Sequence, residues 1–234
     1  MFKERLLKDA LRVYAGQHVL DRVLALGDKA LALDHGREHM AVLYVIASVS
    51  RKVLEELTPA EALQEKVRFF SITQDEVRRA GGRVADYLGD DAIAYFPPRA
   101  GAAASAGAAV ECARNIVQRC LAAGAAERPR LLMPMIGADF GLVYIGNFGT
   151  PQRMKFTVQG EVVNRAFEIA ACCRKFQATV LMSEAMAELL ATPEAARESY
   201  VGDMVVKGEA GAVKLYVPME TDFSALLSAR INTL

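Results

Sequence analysis

The chain has 234 residues, of which just over half are apolar, and its 28 basic and 28 acidic side chains give a formal net charge of zero. This balance excludes the strong positive field with which proteins attract nucleic acid or anionic membranes. No apolar run approaches the roughly 20 residues of a membrane-spanning helix, and the charged, amphipathic N-terminus MFKERLLKDALRVY is unlike a signal peptide. The four cysteines form no C-x-x-C pair, so we expect reduced thiols in a cytoplasmic protein.

Residues 1–33 carry apolar side chains at helical spacing, which predicts two helical pieces that break near Gly16. This N-terminal lead either packs on the domain or serves dimerisation or signal input. His18 is interpreted as a surface or packing residue. A polar segment follows, and we interpret it as a linker rather than a metal site, although it contains His35, Glu38 and His39.

The run AVLYVIASV at 41–49 is almost continuously apolar, as in a strand that is buried on both faces. Thr58-Pro59-Ala60-Glu61 predicts a helix start, because Thr58 can cap the helix and Glu61 can reach back to the cap amide. We expect this helix to end at Gly81-Gly82. The next run, RVADYLGDDAIAYF, predicts a hairpin that turns at Gly89-Asp90-Asp91.

The low-complexity run PPRAGAAASAGAAV at 97–110 is interpreted as a mobile loop leading to a helix from about Ala108 to Ala123. Strands are predicted at roughly 131–138 and 141–146, followed by a tight glycine turn at Gly146–Gly149. After a further strand, a helix is predicted from Val162 to Lys175.

A strand at Thr179–Met182 and a helix capped by Ser183 should follow. The last two strands are expected near 200–206 and 212–217, with Lys207-Gly208 between them. This order of elements predicts an α+β sandwich with one mixed, mostly antiparallel sheet and helices on one face. We divide the chain into a lead (1–40), a domain (41–218) and a tail (219–234).

Two motifs occur in order: G-G-x₆-G-D, ending at Asp90, and G-N-x-G followed by G-x-x-x-N, ending at Asn164. Together with V-K-G at Lys207, they make residues 17–217 resemble class III nucleotide cyclase domains. The resemblance implies a ferredoxin-like fold and a head-to-tail dimer with sites at the subunit interface. It also implies a reaction in which a ribose 3′-hydroxyl attacks the α-phosphate and pyrophosphate leaves, assisted by two metal ions.

The family's metal-binding half is damaged in this chain. Ile46 stands where the resemblance expects the first metal-binding aspartate, and its side chain has no oxygen to coordinate Mg²⁺ or Mn²⁺. Asp90 matches the second metal aspartate, while Asp91 is interpreted as a solvated turn residue. One carboxylate alone is not expected to hold two metal ions.

The nucleotide-binding half is also altered. Thr157, Asn164 and Lys207 match family positions that contact the base, the ribose and the phosphates. Asp86, however, replaces the base-contacting lysine, and Glu168 replaces the transition-state arginine. A carboxylate about 4 Å from a phosphate oxygen is disfavoured by roughly 4 kcal/mol at an effective dielectric constant of 20, and loss of a catalytic arginine slows phosphoryl transfer by ~10³-fold or more.

We therefore predict a catalytically silent cyclase-like domain that acts as a dimerising or regulatory signalling module. It should need no cofactor, and its partner should be a second copy or another protein rather than nucleic acid. Two alternatives stay open. One is an active adenylate-type cyclase that uses Mg²⁺ or Mn²⁺ with substituted residues, and the other is nucleotide binding without turnover.

Overall fold

The computed structural model describes residues 2–48, 57–126, 133–190, 199–205 and 211–218. Its helices are α1 (Phe2–Ala15), α2 (Gln17–Leu26), α3 (Pro59–Arg79), α4 (Ala102–Ala126), α5 (Glu161–Cys172) and α6 (Glu184–Leu190). Its strands are β1 (His35–Ser48), β2 (Arg83–Leu88), β3 (Asp91–Phe96), β4 (Met133–Thr150), β5 (Arg153–Gln159), β6 (Val180–Ser183), β7 (Tyr200–Val205) and β8 (Ala212–Tyr216). A 3₁₀ turn, Gly27–Leu31, joins α2 to β1.

The strands form one eight-stranded sheet with the order β2-β3-β1-β4-β6-β8-β7, and β5 pairs with the far part of β4. The β4–β6 pair is parallel and the remaining pairs are antiparallel. This arrangement confirms the predicted α+β class with a mixed, mostly antiparallel sheet.

The sheet is covered on both faces, which corrects the prediction of helices on one face. Strand β1 is buried on both sides, as expected, and Leu43 and Val45 pack in the core under α3, α4 and α6. Val42 and Tyr44 point the other way and pack with buried residues of α5. Because successive side chains of a strand alternate between its faces, an apolar strand of this kind needs a cover on each side.

The predicted break in the N-terminal lead is confirmed at Gly16, whose φ of 92° is accessible mainly to glycine. Helix α1 has no buried residue, whereas α2 contributes the buried Leu20. The two helices therefore differ: α2 packs on the domain and α1 extends beyond it with its apolar side chains exposed.

Two local predictions between β1 and β3 are confirmed. The Thr58 side chain accepts a hydrogen bond from the Glu61 amide while the Glu61 carboxylate accepts one from the Thr58 amide, which completes a capping box at the start of α3. The hairpin of β2 and β3 turns at Gly89-Asp90, within the segment that the sequence indicated.

The start of α4 was predicted wrongly. The segment interpreted as a mobile loop is helical from Ala102 onwards. Alanine has the highest helix propensity of all residues, so the alanine-rich run favours a helix although its complexity is low. The buried Ser105 fixes this first turn, because its hydroxyl accepts a hydrogen bond from the Ala41 amide.

The region predicted as two strands and a glycine turn is the single strand β4. Its glycines leave room for neighbouring backbone instead of bending the chain: a Cβ on Gly137 would lie 2.0 Å from the Ala166 carbonyl oxygen of α5. In the same way, a Cβ on Gly146 would lie 2.2 Å from the Asp34 carbonyl oxygen. The turn between β4 and β5 lies later, at Pro151-Gln152.

The polar segment before residue 41 is also strand and not linker, because β1 pairs with β4 from His35 onwards. Within the described ranges, no three ligating side chains come close enough to hold a metal ion. The Ser183 cap and the two last strands occur as predicted. Lys207, Gly208 and the tail 219–234 lie outside the described residues. Among the helices that are described, none has the length and hydropathy required to cross a bilayer.

Candidate functional site

The corner that corresponds to the metal-binding half is formed by the ends of β1 and β3. Ile46 lies directly opposite Asp91 across these two strands and packs against the core under α5. The Asp91 carboxylate accepts a hydrogen bond from the Tyr44 hydroxyl at 3.1 Å. Burial raises the pKa of Asp91, and burial together with the Asp91 charge raises the pKa of Tyr44 to about 12. Asp91 is thus a hydrogen-bonded strand residue rather than the solvated turn residue that was expected.

Asp90, which matches the second metal aspartate, sits in the exposed two-residue turn between β2 and β3. Its carboxylate forms an ion pair with the Lys66 ammonium group of α3. The corner therefore presents an aliphatic side chain, a carboxylate paired with lysine and a carboxylate hydrogen-bonded to tyrosine. This set of donors does not fit a pair of divalent cations, which require several free oxygen ligands.

In the nucleotide-binding half, Asp86 of β2 is paired with a cation from the same chain. Its carboxylate forms an ion pair with the Lys155 ammonium group of β5. The Asp86 side chain is 16% exposed and that of Lys155 is 54% exposed, so the pair lies at the edge of the core. Thr157, two residues along β5, is buried. At residue 86, where the resemblance expected a lysine, the structure thus has an acid that is paired with Lys155.

Helix α5 presents Asn164 and Glu168 on one exposed face, one helical turn apart. Phe167, beside them, is 40% exposed and makes an edge-to-face contact with Tyr44, with ring centroids 5.0 Å apart. The side chain at 168 is a carboxylate at the position where the resemblance expects a cation. The structure therefore places no arginine at residue 168, and Arg165 on the same turn is engaged with Asp139 of β4.

Sequence reasoning missed the ion pair that holds α5 to the sheet. The Arg165 Nε atom donates to the Asp139 carboxylate of β4 at 2.6 Å, and Asp139 is fully buried. Burial raises the pKa of Asp139, although the Arg165 charge acts in the opposite direction. The signal in the sequence was an isolated acid inside the otherwise apolar strand MPMIGADFGLVYI.

The described residues divide the predicted site into two parts. Ile46, Asp90 and Asp91 form one corner, where the hairpin turn meets the end of β1. Asp86 and Thr157 lie on β2 and β5, which the Asp86–Lys155 pair joins, while Asn164 and Glu168 follow on α5. The placement of Lys207 stays a prediction, since this residue is outside the described ranges.

Comparison with solved structures identifies this arrangement of elements. A bacterial light-regulated adenylyl cyclase matches with a TM-score of 0.77 and 20% identity over 99% of this chain and 67% of that chain. The adenylyl cyclase CyaB from P. aeruginosa matches with a TM-score of 0.68 and 22% identity, covering 81% and 99% of the two chains. The guanylyl cyclase Cya2 matches with a TM-score of 0.61 and 21% identity, covering 81% and 98%. The chain therefore has the fold of adenylyl and guanylyl cyclase domains.

The sequence comparisons add relatives but no activity, and no family model matches the chain. An uncharacterized protein of Mycobacterium tuberculosis is 28% identical over 214 residues, which is 91% of this chain and 37% of the relative. An uncharacterized protein of Mycobacterium bovis is 28% identical over 212 residues, or 90% of this chain and 39% of that protein. The chain thus spans less than two fifths of the length of these relatives.

Proposed function

We propose that this domain is a catalytically silent member of the nucleotide cyclase fold that acts as a dimerising or regulatory signalling module in the cytoplasm. The observation that carries the proposal is that the acidic side chains of the candidate site are already paired. Asp90 and Asp86 are each paired with a lysine of the same chain, and Ile46 supplies no ligand between them. A substrate with its metal ions would have to break both ion pairs and still would lack one ligand and one arginine.

The charge on α5 supports the same proposal. Two-metal cyclisation requires cations aimed at the charge that develops on the phosphates. Glu168 instead places a carboxylate one turn from Asn164 on the exposed face of α5. A heterodimer would not supply what is lost, because the substitutions affect both halves of the site.

Turnover tests the silent state. Purified protein is incubated with Mn²⁺ and either ATP or GTP, and cyclic product is measured by mass spectrometry, with an active adenylyl cyclase as the positive control. The proposal predicts no cyclic nucleotide above the protein-free blank. Cyclic AMP or cyclic GMP that accumulates in proportion to protein concentration would establish the active alternative instead.

The dimeric state is the second part of the proposal, and the exposed Phe167 beside Tyr44 supports it. Burial of the Phe167 ring against a second copy would remove apolar surface from water and so stabilise a dimer. Light scattering coupled to chromatography should give a dimer at tens of micromolar. Phe167→Glu should shift it to monomer, while Leu63→Glu, at an exposed apolar position on α3 across the sheet, should not. A monomeric wild-type protein at this concentration would exclude the proposed dimeric state.

Nucleotide binding without turnover is a second candidate, since Thr157 and Asn164 keep residue types that the resemblance associates with base and ribose contacts. We also propose that the domain spans residues 41–218, although strand β1 begins six residues earlier, at His35.

Calorimetry with ATP, GTP and the two cyclic nucleotides tests nucleotide binding without turnover. Saturable heat that Thr157→Val removes would establish binding.

A further inference from the structure

An apolar groove lies between helix α3 and strand β2, outside the candidate site. Its volume is about 330 Å³, and it is lined by Val67, Phe70, Ser71, Gln74, Asp75 and Tyr87. The Tyr87 side chain faces α3, because its cross-strand partner Ala92 belongs to the core on that side of the sheet. Val67 is 57% exposed and Tyr87 is 40% exposed, so the groove presents apolar surface to solvent. Apolar surface gathered in one groove favours a bound partner over water.

The wall of this groove is held in place by contacts within the chain. The Tyr87 hydroxyl donates a hydrogen bond to the Gln74 Oε1 atom at 2.8 Å, and the centroids of the Tyr87 and Phe70 rings lie 4.6 Å apart. Burial raises the pKa of Tyr87 to about 12, so its hydroxyl stays a neutral donor at neutral pH. A partner therefore meets an ordered surface and does not have to fix these side chains on binding.

Strand β2 forms one edge of the sheet and offers unpaired backbone beside the groove. It pairs with β3, and among the strands that the structure describes none pairs with its other edge. Leu88 and Asp91 flank the two-residue turn and form a hydrogen-bonded pair, so the next pair, Tyr87 with Ala92, is not hydrogen-bonded. The N–H and C=O groups of Tyr87 consequently point to the outer edge, where they can pair with a further strand.

The far end of the groove carries a negative charge. The Asp75 carboxylate is partly exposed and lies 3.8 Å from the Arg78 guanidinium and 3.7 Å from that of Arg119. Arg119 approaches Glu76 more closely, at 2.7 Å, so Asp75 is only loosely neutralised. Phe70 and Asp75 are five residues apart on α3, which is about 7.5 Å and corresponds to roughly two residues of an extended strand. A strand beside β2 could therefore place an apolar and a basic side chain on the same face of the groove.

We propose that this groove binds an extended peptide segment of another protein, which adds as an antiparallel strand to the outer edge of β2. One large apolar side chain of the peptide packs between Val67, Phe70 and Tyr87. A Lys or Arg two residues further along the peptide pairs with Asp75, because a strand antiparallel to β2 runs in the same direction as α3. This inference goes beyond the proposed function, since binding here requires neither a nucleotide nor the dimer.

Fluorescence anisotropy with the full chain tests the proposal. The probe is a fluorescein-labelled peptide of eight residues, all Thr except for Phe at its fourth position and Lys at its sixth. Saturable binding is expected below one millimolar protein, and no binding at that concentration would overturn the proposal. Val67→Lys should weaken binding about 10-fold, because a charge replaces a buried apolar contact. The matched control, Val13→Lys on the exposed face of α1, should leave the affinity unchanged.

Methylation of the peptide backbone tests strand addition itself. The peptide residues whose side chains face the groove are those whose N–H groups face β2, because directly opposite residues of an antiparallel pair share a face. N-methyl groups on Phe and Lys should therefore abolish binding, whereas N-methyl groups on the third and fifth residues should not. Equal binding of the two methylated peptides would show that the peptide does not pair with β2, and the proposal would be wrong.

A second pair of variants tests the charge at the end of the groove. Asp75→Asn should weaken the Lys peptide about 3-fold and should not affect the same peptide with Gln in place of Lys. Equal weakening of both peptides would refute the pairing with Asp75. If Val67→Lys, rather than Phe167→Glu, converts the dimer to a monomer, a second copy occupies the groove and the inference is wrong. Because the peptide assay contains no nucleotide, its result is independent of the turnover assay.

Discussion

Reversing the Asp86–Lys155 ion pair tests whether these two side chains stabilise the protein, as their contact in the structure indicates. The Asp86 side chain is 16% exposed and that of Lys155 is 54% exposed. Removal of one partner should therefore cost more than the ~0–1 kcal/mol of a surface pair and less than the roughly 3–5 kcal/mol of a buried one.

Asp86→Lys also places two ammonium groups together. By Coulomb's law, the repulsion between them is at most about 4 kcal/mol at 4 Å and an effective dielectric constant of 20. The half-exposed Lys155 can turn into solvent, so we expect a net loss of about 2–3 kcal/mol in the free energy of unfolding. The double variant Asp86→Lys with Lys155→Asp restores opposite charges and should recover most of this loss.

Urea unfolding of the wild type, both single variants and the double variant gives the coupling energy from a double-mutant cycle. A favourable coupling of about 1 kcal/mol or more is expected, and it should shrink in high salt because the pair is partly exposed. If the two single losses simply add in the double variant, the residues do not interact, and the proposal loses one of the two ion pairs that support it.

Three further predictions concern stability. Gly137→Ala should lower the free energy of unfolding in urea by about 3 kcal/mol, because its Cβ would lie 2.0 Å from the Ala166 carbonyl oxygen. Gly107→Ala inside α4 should instead stabilise the protein by roughly 0.5–1 kcal/mol. Equal effects of the two substitutions would contradict the close approach of α5. Glu76→Gln should cost about 2 kcal/mol, because this almost fully buried carboxylate pairs with arginines of both α3 and α4, and a loss below 0.5 kcal/mol would refute that role. Burial lowers the pKa of His18 from 6.5 to about 4, so the unfolded state binds more protons between these pH values and the free energy of unfolding should fall as the pH falls. After allowance for partial solvent screening, we expect a loss of about 1 kcal/mol between pH 7 and pH 5. His18→Leu should abolish this pH dependence, and an unchanged dependence in that variant would assign the effect to another group.

The fold was largely predictable because its signals are local. The capping box at Thr58, the two-residue turn at Gly89 and the apolar run of β1 each identify an element without knowledge of its neighbours. The errors occurred where tertiary contact decides. Gly146 was interpreted as part of a turn, but this glycine makes room for the Asp34 backbone, which is distant in sequence.

The sequence indicated which elements carry the candidate site residues, but it did not indicate the partners of their side chains. Ile46 lies in the predicted strand β1, Asp86 lies in β2 of the predicted hairpin, and Asp90 lies in its turn. Nothing in the sequence pattern indicated that Lys66 and Lys155 would neutralise the two acids, because these lysines lie 24 and 69 residues away along the chain. Such pairs depend on how α3 and β5 pack against the hairpin, which spacing alone does not specify.

Binding of Mn²⁺ tests the central claim most directly, since the proposed catalytic silence depends on the absence of a two-metal site beside Ile46. Electron paramagnetic resonance follows the signal of free Mn²⁺ as the ion is titrated into the protein, with an active cyclase domain as the positive control. We predict that the free signal at micromolar Mn²⁺ is the same with and without this protein. Loss of the free signal with a stoichiometry of two ions per chain would contradict the account.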